Sequence, residues 1–192
     1  MSSVSRWFRQ ARPAGWRVNL GKTAAQTVVF WGFFLWVCPV AIAAAEDWLG
    51  VPRFAFPLHW LLPWKLFALA GTLGLWSGAT MAIAGRGTPL PVDCPRRLVV
   101  AGPYAHVRNP MAIAGLTQGA AVGLALGSFS VLIYTAAGAL IWNLFVRPTE
   151  EAHLEELFGG SYRDYRHAVR CWLPSVRAYQ PGLSPFSRNR VP

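Results

Sequence analysis

Charge is missing from this chain over lengths that a soluble protein rarely tolerates. No charged residue occurs from Thr23 to Ala45, and none from Met111 to Val146. The first run is long enough to cross a hydrocarbon core of about 30 Å. The second would extend about 54 Å as one straight helix, so it is expected to fold back on itself. Acidic residues are scarce as well: 8 Asp and Glu stand against 18 Lys and Arg, for a formal net charge of +10. A nucleic-acid binder would gather those cations on a soluble surface or interleave them with aromatics. Here they collect in the connections between uncharged runs, as in a membrane protein whose basic loops stay in the cytoplasm. Membrane lipids are therefore the expected surroundings, and nucleic acid is not an expected partner.

Other absences narrow the chemistry. The 3 cysteines, Cys38, Cys94 and Cys171, have no metal-type spacing, so free thiols and no metal site are expected. There is no P-loop, and no Gly-x-Gly-x-x-Gly follows a strand pattern. The apolar runs hold almost no ionisable group, which argues against an ion pump or channel.

What is present organises into an all-α integral membrane protein with about four transmembrane helices. The spans are expected near residues 23–45, 60–84, 111–126 and 129–146, with Gly127-Ser128 turning the last two into a tight hairpin. Ala41-Ile42-Ala43-Ala44-Ala45 resembles a signal-cleavage site, but the apolar run before it is too long for a signal peptide. A basic segment, 1–22, precedes a single membrane domain over 23–175, and a loosely ordered tail follows over 176–192. Both termini are expected in the cytoplasm, at what would be a bacterial inner membrane. Gly115, Gly119, Gly123 and Gly127 are four apart, a bare stripe along which another backbone can approach. Pro148 suits the first turn of a new helix, with Glu150 and Glu151 favoured there by the helix dipole. Ser161 to Trp172 alternates an aromatic face with an arginine face, as a helix lying in the headgroup plane would.

The polar residues of interest lie at the cytoplasmic edge, in 98–110 and 147–166. The hairpin returns one of these regions to the other, so a pocket at the membrane boundary is expected. Tyr104 could pack on a flat heterocycle, Glu151 could pair with a ligand ammonium or sulfonium, and Arg108 or Arg147 could take a carboxylate. Each also has a plainer reading, as interfacial anchor, helix-start acid or aromatic-belt residue.

The pattern Leu98-Val99, Gly102-Pro103-Tyr104, Val107-Arg108-Asn109-Pro110-Met111, then Arg147-Pro148-Thr149-Glu150-Glu151, Leu154, Phe158-Gly159, Tyr162, Tyr165, Val169-Arg170 and Leu173-Pro174 resembles the isoprenylcysteine carboxyl methyltransferase family and its bacterial relatives. Phospholipid methyltransferases look like more distant cousins. The resemblance implies a membrane enzyme that transfers methyl from S-adenosylmethionine to a lipophilic small molecule or lipidated substrate, either a prenylcysteine-like carboxylate or a lipid. It implies that Val100, Ala101, Gly102, Pro103, Tyr104, Asn109, Pro110 and Met111 line the cofactor, and that Glu151 holds its methionine part. Arg147 would face the acceptor's polar group, and Glu150 or His106 would take a proton where the acceptor has one to lose. Gly85-Arg86-Gly87 looks like a glycine pair placed near the cofactor. The family usually has a tyrosine where Ala112 stands, and often a histidine where Asn109 stands. Two alternatives remain open: an NADPH-dependent membrane lipid or sterol reductase, and a non-enzymatic protein of the same fold. The oligomeric state is open too.

Overall fold

The computed structural model describes residues 11–89 and 93–181. Arg6, Trp7 and Arg9 of the basic N-terminal segment, and the tail beyond 181, lie outside those residues. Among the described residues the chain is helical, without strands, and it is a multi-pass membrane protein. Helix α1 runs over Trp16–Leu49, α2 over Leu62–Gly85, α3 over Pro110–Leu126, α4 over Phe129–Phe158 and α5 over Gly160–Ala168. The first, second and fourth are long and apolar enough to cross a membrane, and α3 is a shorter apolar helix. Their outward faces stay apolar and exposed, for example at Val28, Trp36, Leu69, Ile133 and Phe145. Lipid is the solvent such a surface needs.

Two helices pass through a proline without stopping. Helix α1 contains a π-helical stretch at Gly32–Val37 followed by Pro39, and α4 contains one at Trp142–Val146 followed by Pro148. A mid-helix proline lacks an N–H and its ring crowds the carbonyl four residues back. Here that carbonyl belongs to Leu35 or Leu144, inside the widened stretch. The wider register provides the space. Pro148 therefore does not begin a new helix, and the second arm of the hairpin continues unbroken into the acidic segment.

The hairpin turns at Gly127-Ser128. Gly127 adopts a left-handed φ of 61° and Ser128 caps α4, its hydroxyl accepting from the Val131 N–H at 3.0 Å. The glycine stripe divides into two functions. A Cβ on Gly119 would lie 2.9 Å from Thr135, and one on Gly123 would lie 2.7 Å from Leu132, so these two let α4 approach. Gly115 faces open space, as does Gly138 on α4. The hairpin is thus closed at its tip and splayed towards its base.

A second glycine row, Gly71, Gly74 and Gly78 on α2, receives Gln118, Ala114 and Met111 of α3, with Trp31 and Thr23 of α1 alongside. It packs α2 against both neighbours. On the side away from the acidic segment, Arg53 ties the loop after α1 to the hairpin tip. It bonds Asp47 at 2.8 Å and the carbonyls of Leu126 and Ala43 at 3.0 and 3.2 Å. Glu46 accepts from the Ser130 N–H at 3.1 Å.

Helix α5 does not lie against lipid with its aromatic face. Tyr162, Tyr165 and Val169 are buried and pack on Leu98, Val100, Leu154 and Phe158 within the protein. Arg163 and Arg166, on the other side, reach Glu155. The chain also stays packed past residue 175: the Tyr179 N–H bonds the Ala105 carbonyl at 2.8 Å.

The two kinds of glycine give a direct test. Gly127→Ala forces a Cβ into a left-handed turn and against the Phe54 carbonyl, so it should destabilise by more than about 1 kcal/mol. Gly138→Ala meets nothing and should be neutral or slightly stabilising. Thermal unfolding in detergent compares them, and equal effects would contradict the packing described.

Candidate active site

The loop 93–109 and the base of the hairpin enclose a cavity of about 450 Å³. Its wall is built from three directions: Tyr104, Arg108 and Asn109 from the loop, Met111 and Ala112 from α3, and Trp142, Glu150, Glu151 and His153 from α4. Phe30 of α1 and Tyr162 and Tyr165 of α5 complete it.

The main polar contact across the cavity is an ion pair. Arg108 Nη1 donates to Glu151 Oε1 at 2.8 Å, and the two side chains are only 13% and 17% exposed. Arg108 Nε is buried without a partner. The loop that carries Arg108 is anchored on the segment after α5. The Arg108 N–H bonds the Arg170 carbonyl at 3.0 Å, the Ser175 N–H bonds the His106 carbonyl at 2.8 Å, and Asn109 Nδ2 donates to Cys171 Sγ at 3.2 Å. Trp172 packs edge-on against Trp142 with centroids 5.2 Å apart and donates Nε1 to Asn143 Oδ1 at 3.1 Å. This C-terminal segment therefore fastens both walls of the cavity.

Tyr165 donates its hydroxyl to the Tyr104 carbonyl at 2.7 Å. Burial, reinforced by the charge of Glu150, pushes the Tyr104 phenol well above its ordinary value. Burial raises Tyr162 and Tyr165 in the same way. All three remain neutral phenols at any physiological pH, so none serves as a base.

The residues expected at the site separate into two sets. Tyr104, Asn109, Met111, Glu150 and Glu151 stand in the wall. Val100 packs on the tyrosines of α5, and Ala101 supplies the carbonyl that accepts from the Tyr104 N–H. Gly102, with a left-handed φ of 56°, lies so close to Thr80 of α2 that a Cβ would approach within 2.9 Å. The close approach it permits is to a helix. Pro103 is buried beneath the 3₁₀ turn Gly102–Ala105, and Pro110 opens α3. Gly85 and Gly87 likewise admit the backbone and side chains of Cys94, Pro95 and Val99. Arg147 stands outside the wall, its buried Nε without a hydrogen-bond partner. His106 is turned to the Ser175 carbonyl at 2.8 Å. Phe30, Trp142 and His153 went unnoticed in the sequence. His153 could have been found, because it lies one turn beyond Glu150 on the same helical face. Phe30 carries no local signal.

A second cavity of about 660 Å³ adjoins the first and shares Phe30, Met111, Ala112, Trp142 and Val146 with it. It fills the splay of the hairpin, between Gly115, Gly138 and the inner face of α1. Among the described residues no group of His, Cys, Asp and Glu could hold a metal ion.

Comparison with known proteins bears on this arrangement. The phospholipid methyltransferase family matches residues 59–161. The chain belongs to the phospholipid methyltransferase family. The matched stretch carries the loop, the hairpin and both partners of the Arg108–Glu151 pair. The chain is also 34% identical over 82 residues to protein-S-isoprenylcysteine O-methyltransferase of Schizosaccharomyces pombe, a stretch covering 41% of this chain. It spans about a third of the length of that relative, 34%. No solved structure matches.

The tyrosine contact inside the wall can be tested alone. Tyr165→Phe removes the bond to the Tyr104 carbonyl and leaves a buried acceptor unpaired, which should cost about 1–3 kcal/mol of stability. Thermal or denaturant unfolding measures it, and a variant as stable as the parent would show that the bond contributes nothing.

Proposed function

We propose that this protein is an S-adenosylmethionine-dependent methyltransferase acting on a lipophilic acceptor at the cytoplasmic edge of a membrane. The observation that carries the proposal is the Arg108–Glu151 pair set in a cavity that continues into an apolar one. A zwitterionic amino-acid group fits such a pair, its ammonium to Glu151 and its carboxylate to Arg108, whose Nε has no protein partner. Tyr104 and Trp142 offer flat apolar surface to a heterocycle. Among the described residues Arg108 is the sole arginine or lysine in the wall. That supports a zwitterion over a nicotinamide cofactor with a 2′-phosphate, which would call for further cations.

The bound cofactor supplies a methyl group on a sulfonium, already a good leaving group. The tasks left to the chain are alignment and exclusion of water. Arg108, Glu151, Tyr104 and Trp142 would hold the cofactor so that its methyl group passes to the acceptor's lone pair, with the methyl–sulfur electron pair left on sulfur. Phe30, Met111, Ala112 and Trp142 stand where the two cavities meet, so the transfer is read there. An amine or hydroxyl acceptor would pass its proton to Glu150, which faces the cavity. A carboxylate acceptor would need a cation of its own to position it, and Arg147 stands outside the wall. The charge inventory therefore favours a lipid amine or hydroxyl over a prenylcysteine-like carboxylate. The basic connections support cytoplasmic termini and a single catalytic domain over about 23–175, in a membrane such as the bacterial inner membrane.

S-adenosylhomocysteine at a hundredfold excess over its Kd should stabilise the purified protein by about 2.7 kcal/mol, and NADPH should not. Glu151→Ala should lose that response while Lys65→Ala, exposed at the opposite end of α2 from the cavity, should keep it. An unchanged response in the Glu151 variant would remove that residue from the cofactor site.

A further inference from the structure

The inner face of α1 places polar groups in the larger cavity where an apolar lining would suffice for a hydrocarbon chain. Thr23 is 4% exposed and its Oγ1 has no partner; its methyl is the part that meets Gly78. Gln26, one turn on, lines the same cavity, and its Oε1 is enclosed and unpartnered. Of the other hydroxyls around this cavity, Tyr134 donates to the Phe34 carbonyl at 3.3 Å and Thr135 to the Val131 carbonyl at 3.0 Å, while Thr27 lines it beside Gln26. Lys22, paired with Asp93 at 3.2 Å, marks the aqueous side. Gln26 lies about 6 Å further along the helix from that side. A polar atom enclosed without a partner is costly.

We propose that Thr23 and Gln26 form a hydrogen-bonding step that selects acceptors carrying an O–H or N–H in the chain below the methylated head, in preference to an uninterrupted hydrocarbon. The inference rests on the reading of the larger cavity as the acceptor's. A ligand donor satisfies Gln26 Oε1, and the Thr23 hydroxyl can accept from or donate to the same group. An all-hydrocarbon chain leaves both unpaired, and the loss of such a pairing discriminates more sharply than a missing methylene does.

The test uses purified protein with S-adenosylhomocysteine and a series of probes: dodecylamine, and dodecylamines hydroxylated at carbon 2, 4 or 6. One hydroxylated probe should raise the melting temperature at a concentration at least tenfold lower than dodecylamine requires. Thr23→Val with Gln26→Leu should abolish that advantage while leaving the response to dodecylamine and to S-adenosylhomocysteine. Without probe, the double variant should melt at or above the parent, since it removes two unmatched polar groups. A lower melting temperature would mean that the two side chains serve the fold, and would overturn the proposal. No advantage for any hydroxylated probe, or one that survives in the double variant, would overturn it as well. Loss of the methyltransferase reading shows separately, as a parent protein that S-adenosylhomocysteine does not stabilise.

Discussion

The rest of the site depends on two opposite charges held together at the edge of a membrane. Arg108 and Glu151 are mostly withdrawn from water, and withdrawing either alone would be prohibitive. Their attraction offsets the desolvation through a close contact of 2.8 Å. The pair also spans the two ends of the hairpin. Arg108 lies two residues before the start of α3, and Glu151 lies just over one turn past the π-helical stretch of α4. Any change in the length or phase of the hairpin would separate them.

That requirement explains features that otherwise look unrelated. A new helix starting at Pro148 could point Glu151 in any direction, whereas a continuous α4 carries the orientation of the hairpin into the acidic segment. The π-helical turn makes continuity compatible with the proline. At the far end, the loop–hairpin clamp of Arg53 and Phe54 on Leu126 and Gly127 holds the tip, and Gly119 and Gly123 hold the two arms at contact. Below Gly119 the arms diverge, so one packing choice both fixes the charge pair and opens the larger cavity.

Most of the architecture was legible in the sequence because it rests on local, additive signals. Uncharged runs report spans, and Gly127-Ser128 reports the turn. Tyr104, Asn109, Met111, Glu150 and Glu151 could be assigned to the cavity because motif and topology agreed. What could not be read was direction. Gly102 permits a close approach, but nothing local says whether a ligand or Thr80 makes it. Arg147 is one turn from Glu151, but only Glu151 stands in the cavity wall. The aromatic face of α5 is amphipathic whether it meets lipid or Leu98 and Phe158. These choices are made by tertiary contacts, and periodicity alone does not contain them.

The same limit bears on Ala112. In the sequence it stands out as a missing tyrosine, a loss of aromatic contact. In the structure it lies in the wall of both cavities, beside Met111 and across from Trp142. A phenol ring at that point would occupy the passage between a charged chamber and an apolar one. The small side chain keeps the passage open, and Gly115 and Gly138 continue the same unobstructed face into the splay of the hairpin. The departure thus trades an aromatic contact for room at the junction, where, on the proposed reading, a polar donor and a lipophilic acceptor would meet.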